Sequence, residues 1–164
     1  MTMEEVIRLL EMQEEILQFS HFTNADAWEL GHLLVDECRR RNASAIISIR
    51  LNNGFTVFQY AFDGTSEYNV QWVGRKHNTV SATNHSSLLL CMQLKQNDET
   101  LEDVHLDPKQ YEISGGGFPI FIEEVGVIGS IVISGLDPVS DHDVIIKAVG
   151  KYLHVDEVPR IRAV

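Results

Sequence analysis

The hydrophobic period of this chain changes from 3.6 residues to two near residue 45, and an all-helical fold does not accommodate that change. Apolar residues alternate with polar ones from position 45 to 51, as in a strand with one buried face; they are Ala45, Ile47, Ile49 and Leu51. Asn52, Asn53 and Gly54 supply a turn that tolerates positive φ, and residues 55–62 return as a second strand. The pattern predicts a β-hairpin.

A second hairpin is predicted in the carboxyl-terminal third of the chain. The glycine run at 115–117 is not expected to be helical, and Pro119 has no N–H to donate to a strand ladder. An edge strand, or a strand that begins at this point, is therefore expected. Residues 120–124 and 127–134 form two strands around Val125 and Gly126.

Helical patterns surround both hairpins. Residues 3–17 form an amphipathic pattern with an acidic outer face, and Thr23 with Asp26 marks the start of a second helix. Further helices are expected after Ser66, over residues 86–95, and after Asp137, whereas residues 97–107 are expected to form a loop. Helices and hairpins without βαβ alternation indicate an α+β fold with an antiparallel sheet.

Length and charge restrict the class of protein. The 164 residues fit a single domain, residues 1–164. A net charge of −11 repels phosphate backbones and anionic membranes, so neither nucleic acid nor a membrane is expected as a partner.

The chain shows no secretory signal and no apolar run of the roughly 18 residues that span a membrane, so a cytoplasmic protein is expected. Cys38 and Cys91 are isolated, which is typical of small buried hydrophobic residues.

Three features are candidates for a binding site. Gly115, Gly116 and Gly117 do not form a P-loop, because the lysine and hydroxyl residues of that motif do not follow them. Since glycine has no side chain, the backbone is instead expected to approach a neighbouring strand, another subunit or a flat ligand closely. Residues 75–78 (Arg-Lys-His-Asn) form a basic cluster that would suit a carboxylate or phosphate, although a solvated helix face is favoured.

The third feature is His142. It lies between Asp141 and Asp143 in the first turn of the last helix, where a carboxylate can hold its ring. A structural cap is favoured there over a base or a ligand. The sequence contains no His-x-His, His-x-x-x-His or Gly-x-Ser-x-Gly pattern, so no metal site and no catalytic nucleophile are predicted.

The carboxyl-terminal half resembles the haem-degrading-domain superfamily, which includes HbpS-like and GlcG-like proteins. The similar segments are GGFPI at 116–120, GVIG at 126–129, VISGL at 132–136 and DHD at 141–143. With residues 72–80 and Ser86 and Ser87 added, the chain looks most like the cytoplasmic, functionally unassigned branch. The resemblance implies a profilin-like α+β fold with an antiparallel sheet of about five strands flanked by helices, homo-oligomers from dimers upward, and haem or tetrapyrrole binding in some relatives.

The residues favour a binding or assembly protein without catalysis of its own. The candidate ligand-binding residues are Arg75, His77, Asn78, Gly116, Gly117, Pro119, Ser134 and His142. Two alternatives remain open: an enzyme with His142 as base and Arg75 as anchor for a small carbonyl or carboxylate substrate, and a protein that binds haem or another tetrapyrrole. A homo-oligomer is expected because the apolar helix faces exceed what one small sheet covers.

Overall fold

The computed structural model of the chain describes residues 1–161. In that part of the chain five α-helices, one short 3-10 helix (Glu102–Val104) and four strands form an α+β architecture, as the sequence predicts. The helices are α1 (Met3–Ile16), α2 (Asn24–Arg40), α3 (Glu67–Thr83), α4 (Ser87–Gln96) and α5 (Pro138–Tyr152). The strands are β1 (Ile46–Leu51), β2 (Thr56–Ala61), β3 (Gly117–Ile122) and β4 (Gly126–Ser134).

The strands form one antiparallel sheet in the order β2-β1-β4-β3. β1–β2 and β3–β4 are the two predicted hairpins, and β1 joins them by pairing with β4 from Ile46↔Ser134 to Leu51↔Gly129. β3 is an edge strand with Pro119 at its third position, which agrees with the expectation for that proline.

The prediction of about five strands was wrong by one, since residues 1–161 contain four. The segment before β3 bonds to a helix instead of a strand. The Thr79 hydroxyl on α3 donates to the Glu112 carbonyl at 2.7 Å and accepts from the Glu112 N–H at 3.0 Å. Both backbone groups of Glu112 are thereby satisfied without a ladder partner.

The helices cover the two faces of the sheet unequally. α2 and α5 pack on one face, where the main core includes Ile47, Ile131 and Phe118. α3 crosses the other face, and Val73 packs there on Ile46 and Val132. α1 lies outside these layers and packs on α4 through Ile7, Leu10, Leu88 and Leu89.

Local signals place the helix ends as expected. Thr23 and Asp26 form the predicted capping box, and Asn42 adopts a left-handed φ of 58° just after α2. The Asp137 carboxylate accepts from the Ser140 N–H at the start of α5. Cys38 and Cys91 are buried and free. None of the helices within residues 1–161 is long and apolar enough to cross a membrane.

Candidate functional site

A buried ion pair joins α3 to the first turn of α5. The Lys76 ammonium donates to the Asp141 carboxylate at 3.2 Å and to the Ile133 carbonyl at 2.9 Å. The second carboxylate oxygen of Asp141 accepts from the Leu136 N–H at 2.9 Å. Both charged side chains are almost fully buried. The pair therefore holds α3, the end of β4 and α5 in one arrangement.

Burial controls the protonation of this pair. It raises the pKa of Asp141 to about 6, although the Lys76 charge and the Leu136 N–H act in the opposite direction. It also lowers the pKa of Lys76, and the attraction of Asp141 opposes this effect. Each buried charge is tolerated because the other lies beside it.

The glycine run packs against this pair. Gly116 has φ +118°, and a Cβ on it would overlap the Ile133 carbonyl and lie 2.8 Å from the Lys76 Nζ. A Cβ on Gly117 would lie 2.9 Å from Val80 and 3.1 Å from the Ser87 hydroxyl. The close approach that the glycines predicted is therefore made to β4 and the helices of the same chain.

His77 is buried between α3 and the sheet. Its Nδ1 lies 2.6 Å from the Ser130 hydroxyl and its Nε2 lies 2.8 Å from the Ser48 hydroxyl. Burial, helped by the charge of Arg50, lowers the pKa of His77 to about 3. The neutral ring thus has one N–H to donate and one lone pair to accept, and each serine hydroxyl can complement one of them.

His142 is buried on the α5 side of the sheet, where its ring packs edge-on against Phe118. Its Nε2 lies 2.7 Å from the Gln13 Oε1, and the Gln13 amide nitrogen donates to the Pro159 carbonyl at 2.8 Å. Because Gln13 presents its oxygen, Nε2 carries the proton and Nδ1 is the bare nitrogen. Nδ1 is buried and has no hydrogen-bond partner within residues 1–161. Burial lowers the pKa of His142 to about 4.

The interpretation that a neighbouring carboxylate holds the His142 ring was wrong. Asp141 turns to Lys76 and Leu136, and Asp143 binds Arg41 and Arg160. Helix geometry explains this outcome, because adjacent residues on a helix point in different directions. The ring is held from α1, far away in the sequence.

Arg75 and Asn78 lie on the outer side of α3. The Arg75 guanidinium stacks over Trp72 at 4.2 Å and donates to the Pro108 carbonyl at 3.4 Å. The Asn78 amide donates to the Gln110 carbonyl at 2.8 Å. Arg75 and Asn78 line a groove of about 310 Å³, the α3 groove, together with Gln71, Gly74, Lys109 and Gln110.

The structure divides the candidate residues into separate places. Arg75 and Asn78 share the α3 groove. Gly116, Gly117 and Ser134 surround the Lys76–Asp141 pair or lie next to its partners, and Pro119 lies opposite Ser130, the partner of His77. His142 lies beneath α1. No cavity described within residues 1–161 is lined by all of these residues.

Sequence reasoning missed Lys76, Asp141 and Gln13 as buried polar residues. A signal for two of them was present in the helical spacing. Lys76 falls between Val73 and Val80 on the apolar stripe of α3, and Gln13 falls between Leu10 and Leu17 on that of α1. A polar residue on such a stripe indicates a buried partner. No comparable pattern distinguishes Asp141 from Asp143.

Two further cavities lie on the α2 side of the molecule. One, of about 680 Å³, is lined by His21, Glu29, Leu33, Lys151, Tyr152, Leu153 and His154. The other, of about 280 Å³, lies between α2 and β2 and contains Trp28, His32, Phe58 and Tyr60. Within residues 1–161 no group of three or more His, Cys, Asp or Glu side chains is placed to hold a metal ion.

Comparison with known proteins gives consistent matches. The family model described as haem-degrading protein HbpS-like matches residues 22–150. A UPF0303 protein of Streptomyces avermitilis is 39% identical over 145 residues, which are 88% of this chain and 88% of the relative. A UPF0303 protein of Serratia proteamaculans is 37% identical over 154 residues, which are 93% of this chain and 95% of the relative.

Three solved structures share the fold. The Ybr137w protein superposes with a TM-score of 0.83 at 27% identity and covers 90% of this chain and 87% of its own. HbpS gives a TM-score of 0.64 at 20% identity, over 83% of this chain and 92% of its own. A PduOC:heme complex gives 0.67 at 18% identity, over 85% of this chain and 99% of its own.

Proposed function

Because the chain belongs to the haem-degrading HbpS-like family, we propose that it is a cytoplasmic homo-oligomer that binds a small ligand or mediates assembly and has no catalysis of its own. The observation that carries this proposal is that the buried polar side chains bond to other groups of the same chain. Lys76, His77, Asp141 and His142 are buried, and each bonds to another part of the chain. A general base needs access to the proton that it removes.

The same observation weighs against the enzyme alternative. His142 lies on the α5 side of the sheet beneath α1, whereas Arg75 projects from the outer side of α3 toward Pro108. A base and an anion anchor that face different surfaces do not act on one small substrate. A turnover screen over small carbonyl and carboxylate compounds tests this point with the wild type and His142→Ala, whose folding is checked by its thermal melt. Turnover that disappears only in a folded His142→Ala protein would contradict the non-catalytic proposal.

The α3 groove is the place we propose for a small anion. It contains Lys109 and Arg75 on the surface of a chain that is otherwise strongly acidic. The stacking of Arg75 on Trp72 orients the guanidinium before a ligand arrives. The Arg75 guanidinium also lies 4.0 Å from the Glu112 carboxylate, whereas the exposed Lys109 ammonium forms no ion pair within residues 1–161. A guanidinium and an ammonium that line one groove suit a carboxylate or phosphate.

Calorimetric titration with inorganic phosphate and with succinate tests the groove. Lys109→Gln removes an exposed charge without removing a described contact of its side chain, so weaker binding in this variant supports the site. Lys95→Gln on α4 is the matched control, since it removes the same charge from an exposed position outside the groove. No heat with either probe, or equal loss in both variants, would contradict the groove as the ligand site.

A tetrapyrrole is the second candidate ligand. The buried rings of His77 and His142 do not fit this role, because their nitrogens face serine, glutamine or the closed interior. His21 and His154 are exposed and line the cavity of about 680 Å³ together with apolar groups of Leu33 and Tyr152. A histidine in an apolar pocket is a common axial ligand of haem iron.

Titration with haemin tests this candidate. Binding at one equivalent shifts the Soret band, and the shift should be lost in His21→Ala or His154→Ala if this cavity is the site. His105→Ala is the control, because His105 is exposed and lies outside the cavity. An unchanged spectrum with the wild type would contradict tetrapyrrole binding.

A further inference from the structure

The two edges of the sheet differ in whether another segment of the chain covers them. At the β3 edge, the Phe19 N–H donates to the Phe121 carbonyl at 2.8 Å and the Glu123 N–H donates to the Phe19 carbonyl at 2.9 Å. Pro119 also removes one donor from that strand. The β3 edge is thus partly covered by the chain itself.

The β2 edge has no such protection. No segment within residues 1–161 pairs with its outer side. The strand reads Thr-Val-Phe-Gln-Tyr-Ala and contains neither a charged residue nor a proline, two of the devices by which proteins protect an edge. An irregularity in its pairing with β1 lies at Val57, so the regular part of the open edge runs from Phe58 to Ala61. Because the Phe62 N–H bonds to the Ala45 carbonyl, alternation directs the Phe58 and Tyr60 backbone groups toward β1. The N–H and C=O groups of Gln59 therefore point outward.

An aromatic groove runs beside this open edge. The edge groove is the cavity of about 280 Å³ between α2 and β2, lined by Trp28, His32, Val35, Asp36, Arg39, Phe58, Gln59 and Tyr60. Gly31 lets the Phe58 ring pack beneath α2, since a Cβ there would lie 2.5 Å from the ring. Trp28 remains 60% exposed although its ring stands 4.4 Å from that of His32. An exposed tryptophan beside an open strand is typical of an interface.

The edge groove contains one charge of each sign, so it is complementary to a second copy of itself. Asp36 and Arg39 are exposed on neighbouring turns of α2, and neither forms an ion pair with another residue of the described chain. Together they are neutral, whereas the whole chain carries −11. A two-fold axis brings each residue of a surface patch opposite the other members of the same patch. Asp36 can then meet Arg39 of the partner subunit, and the reverse pair forms at the same time.

We propose that a second copy of this chain docks on the β2 edge and the edge groove by antiparallel β2–β2 pairing about a two-fold axis. The inference rests on the homo-oligomer proposed above and names its surface. Antiparallel pairing joins the two sheets through the outward backbone groups of Gln59 and of Ala61, the next residue of the same alternation. Trp28 and Tyr60 of both copies become buried beside the new strand pair, and the Asp36–Arg39 pairs set the register.

Charge reversal tests the proposed surface. Asp36→Arg should weaken association about tenfold or more, because it places positive charges opposite each other. The same substitution reduces the net charge of each chain, which by itself favours association, so weakening is specific to this contact. The swapped variant Asp36→Arg/Arg39→Asp should restore association. Glu11→Arg, an equal charge change at an exposed position of α1, is the matched control and should not weaken it.

Gln59→Pro provides a second, backbone-level test. It removes the outward N–H without removing a bond to β1, so a folded monomer is expected; circular dichroism and a thermal melt verify the folding. Sedimentation velocity measures the association of all variants. Wild-type protein that stays monomeric would contradict the homo-oligomer itself. A wild-type oligomer that Asp36→Arg and Gln59→Pro leave intact would keep the homo-oligomer and overturn the β2 interface, as would growth into open-ended filaments.

Discussion

At the scale of single residues, four Lys, Arg, His, Asp or Glu side chains within residues 1–161 are at most 3% exposed: Lys76, His77, Asp141 and His142. Charged groups are seldom buried in this way unless they are paired. Two of them form the Lys76–Asp141 ion pair, and the two histidines are neutral rings bonded to serine and glutamine. The stability of the protein should therefore depend on these partners and on pH.

The ion pair gives the first prediction. Lys76→Met and Asp141→Asn should each lower the free energy of unfolding by roughly 3–5 kcal/mol, because each leaves an uncompensated buried charge. The double variant should recover much of this loss, since both charges are then absent. Urea unfolding measures the three values. Glu4→Gln at the exposed Glu4–Arg8 pair is the control, with little effect expected. A double variant that loses the full sum of the single losses would contradict the prediction.

The histidines give the second prediction, which concerns pH. Burial lowers the pKa of His77 to about 3 and that of His142 to about 4, against 6.5 for the free side chain. Below pH 6.5 the unfolded chain takes up protons that the folded chain does not bind. The free energy of unfolding therefore decreases by about 1.4 kcal/mol for each unit by which the pH is lowered, for each histidine. Asp141 acts in the opposite sense between 3.8 and about 6, because its folded pKa is raised.

The net effect is a loss of stability as the pH falls from about 6.5 toward about 4. His142→Gln keeps an amide N–H for Gln13 and removes one titrating group, so the slope should decrease by about 1.4 kcal/mol per pH unit. Unfolding free energies measured in urea across this range provide the slope, and His105→Gln at an exposed position is the comparison. An identical slope in the wild type and His142→Gln would contradict the assignment.

At the scale of elements, the start of β3 fits closely between α3, β4 and α5. Gly116 and Gly117 allow the β3 backbone to reach the Lys76 amine and the Ser87 hydroxyl, and the Gly117 N–H donates to that hydroxyl at 2.9 Å. Any side chain at Gly116 would displace one of three elements that meet there. The glycine is required for packing in addition to its backbone conformation.

Two glycines with the same φ separate these effects. Gly116 and Gly126 both have φ +118°, but a Cβ on Gly126 would meet nothing within 4 Å. Gly126→Ala should therefore show the cost of the conformation alone, and Gly116→Ala should cost about 1–3 kcal/mol more because of overlap with the Ile133 carbonyl. Chemical denaturation of both variants measures the difference. Equal losses would show that Gly116 is needed only for its backbone angles.

At the scale of the whole molecule, charge opposes association while the proposed β2 contact favours it. Each chain carries −11, so two copies repel each other over the distance that salt leaves unscreened. Screening lengths fall from about 10 Å at 0.1 M salt to about 3 Å at 1 M. The proposed dimer should consequently tighten as the salt concentration rises.

Sedimentation equilibrium at low and high sodium chloride checks this prediction. The expected result is an increase in the association constant, because repulsion between whole chains outweighs the two Asp36–Arg39 pairs of one interface. A constant that decreases with salt would contradict that balance. A single species near 18.5 kDa at every salt concentration would contradict the homo-oligomer.

The sequence by itself determined the local structure of this protein. Both hairpins, the Thr23–Asp26 capping box and the edge position of Pro119 follow from residues within a few positions of each other, because turn conformation, capping and alternation depend on near neighbours. The family resemblance was carried by the same kind of short segments. The α+β class followed from their order along the chain.

Only the tertiary structure decided the sheet order, the number of strands, and the positions and partners of the candidate site residues. Lys76 meets Asp141 across 65 positions, and His142 meets Gln13 across 129. No local pattern encodes such pairs, because they form only when helices pack on the sheet and bury polar groups that must then find partners. The same packing turns Arg75 and Asn78 outward and leaves β2 as an open edge. Unlike β3, which Pro119 marks as an edge, β2 has an alternation that an edge strand and a central strand share, so its open edge exists only in the folded sheet.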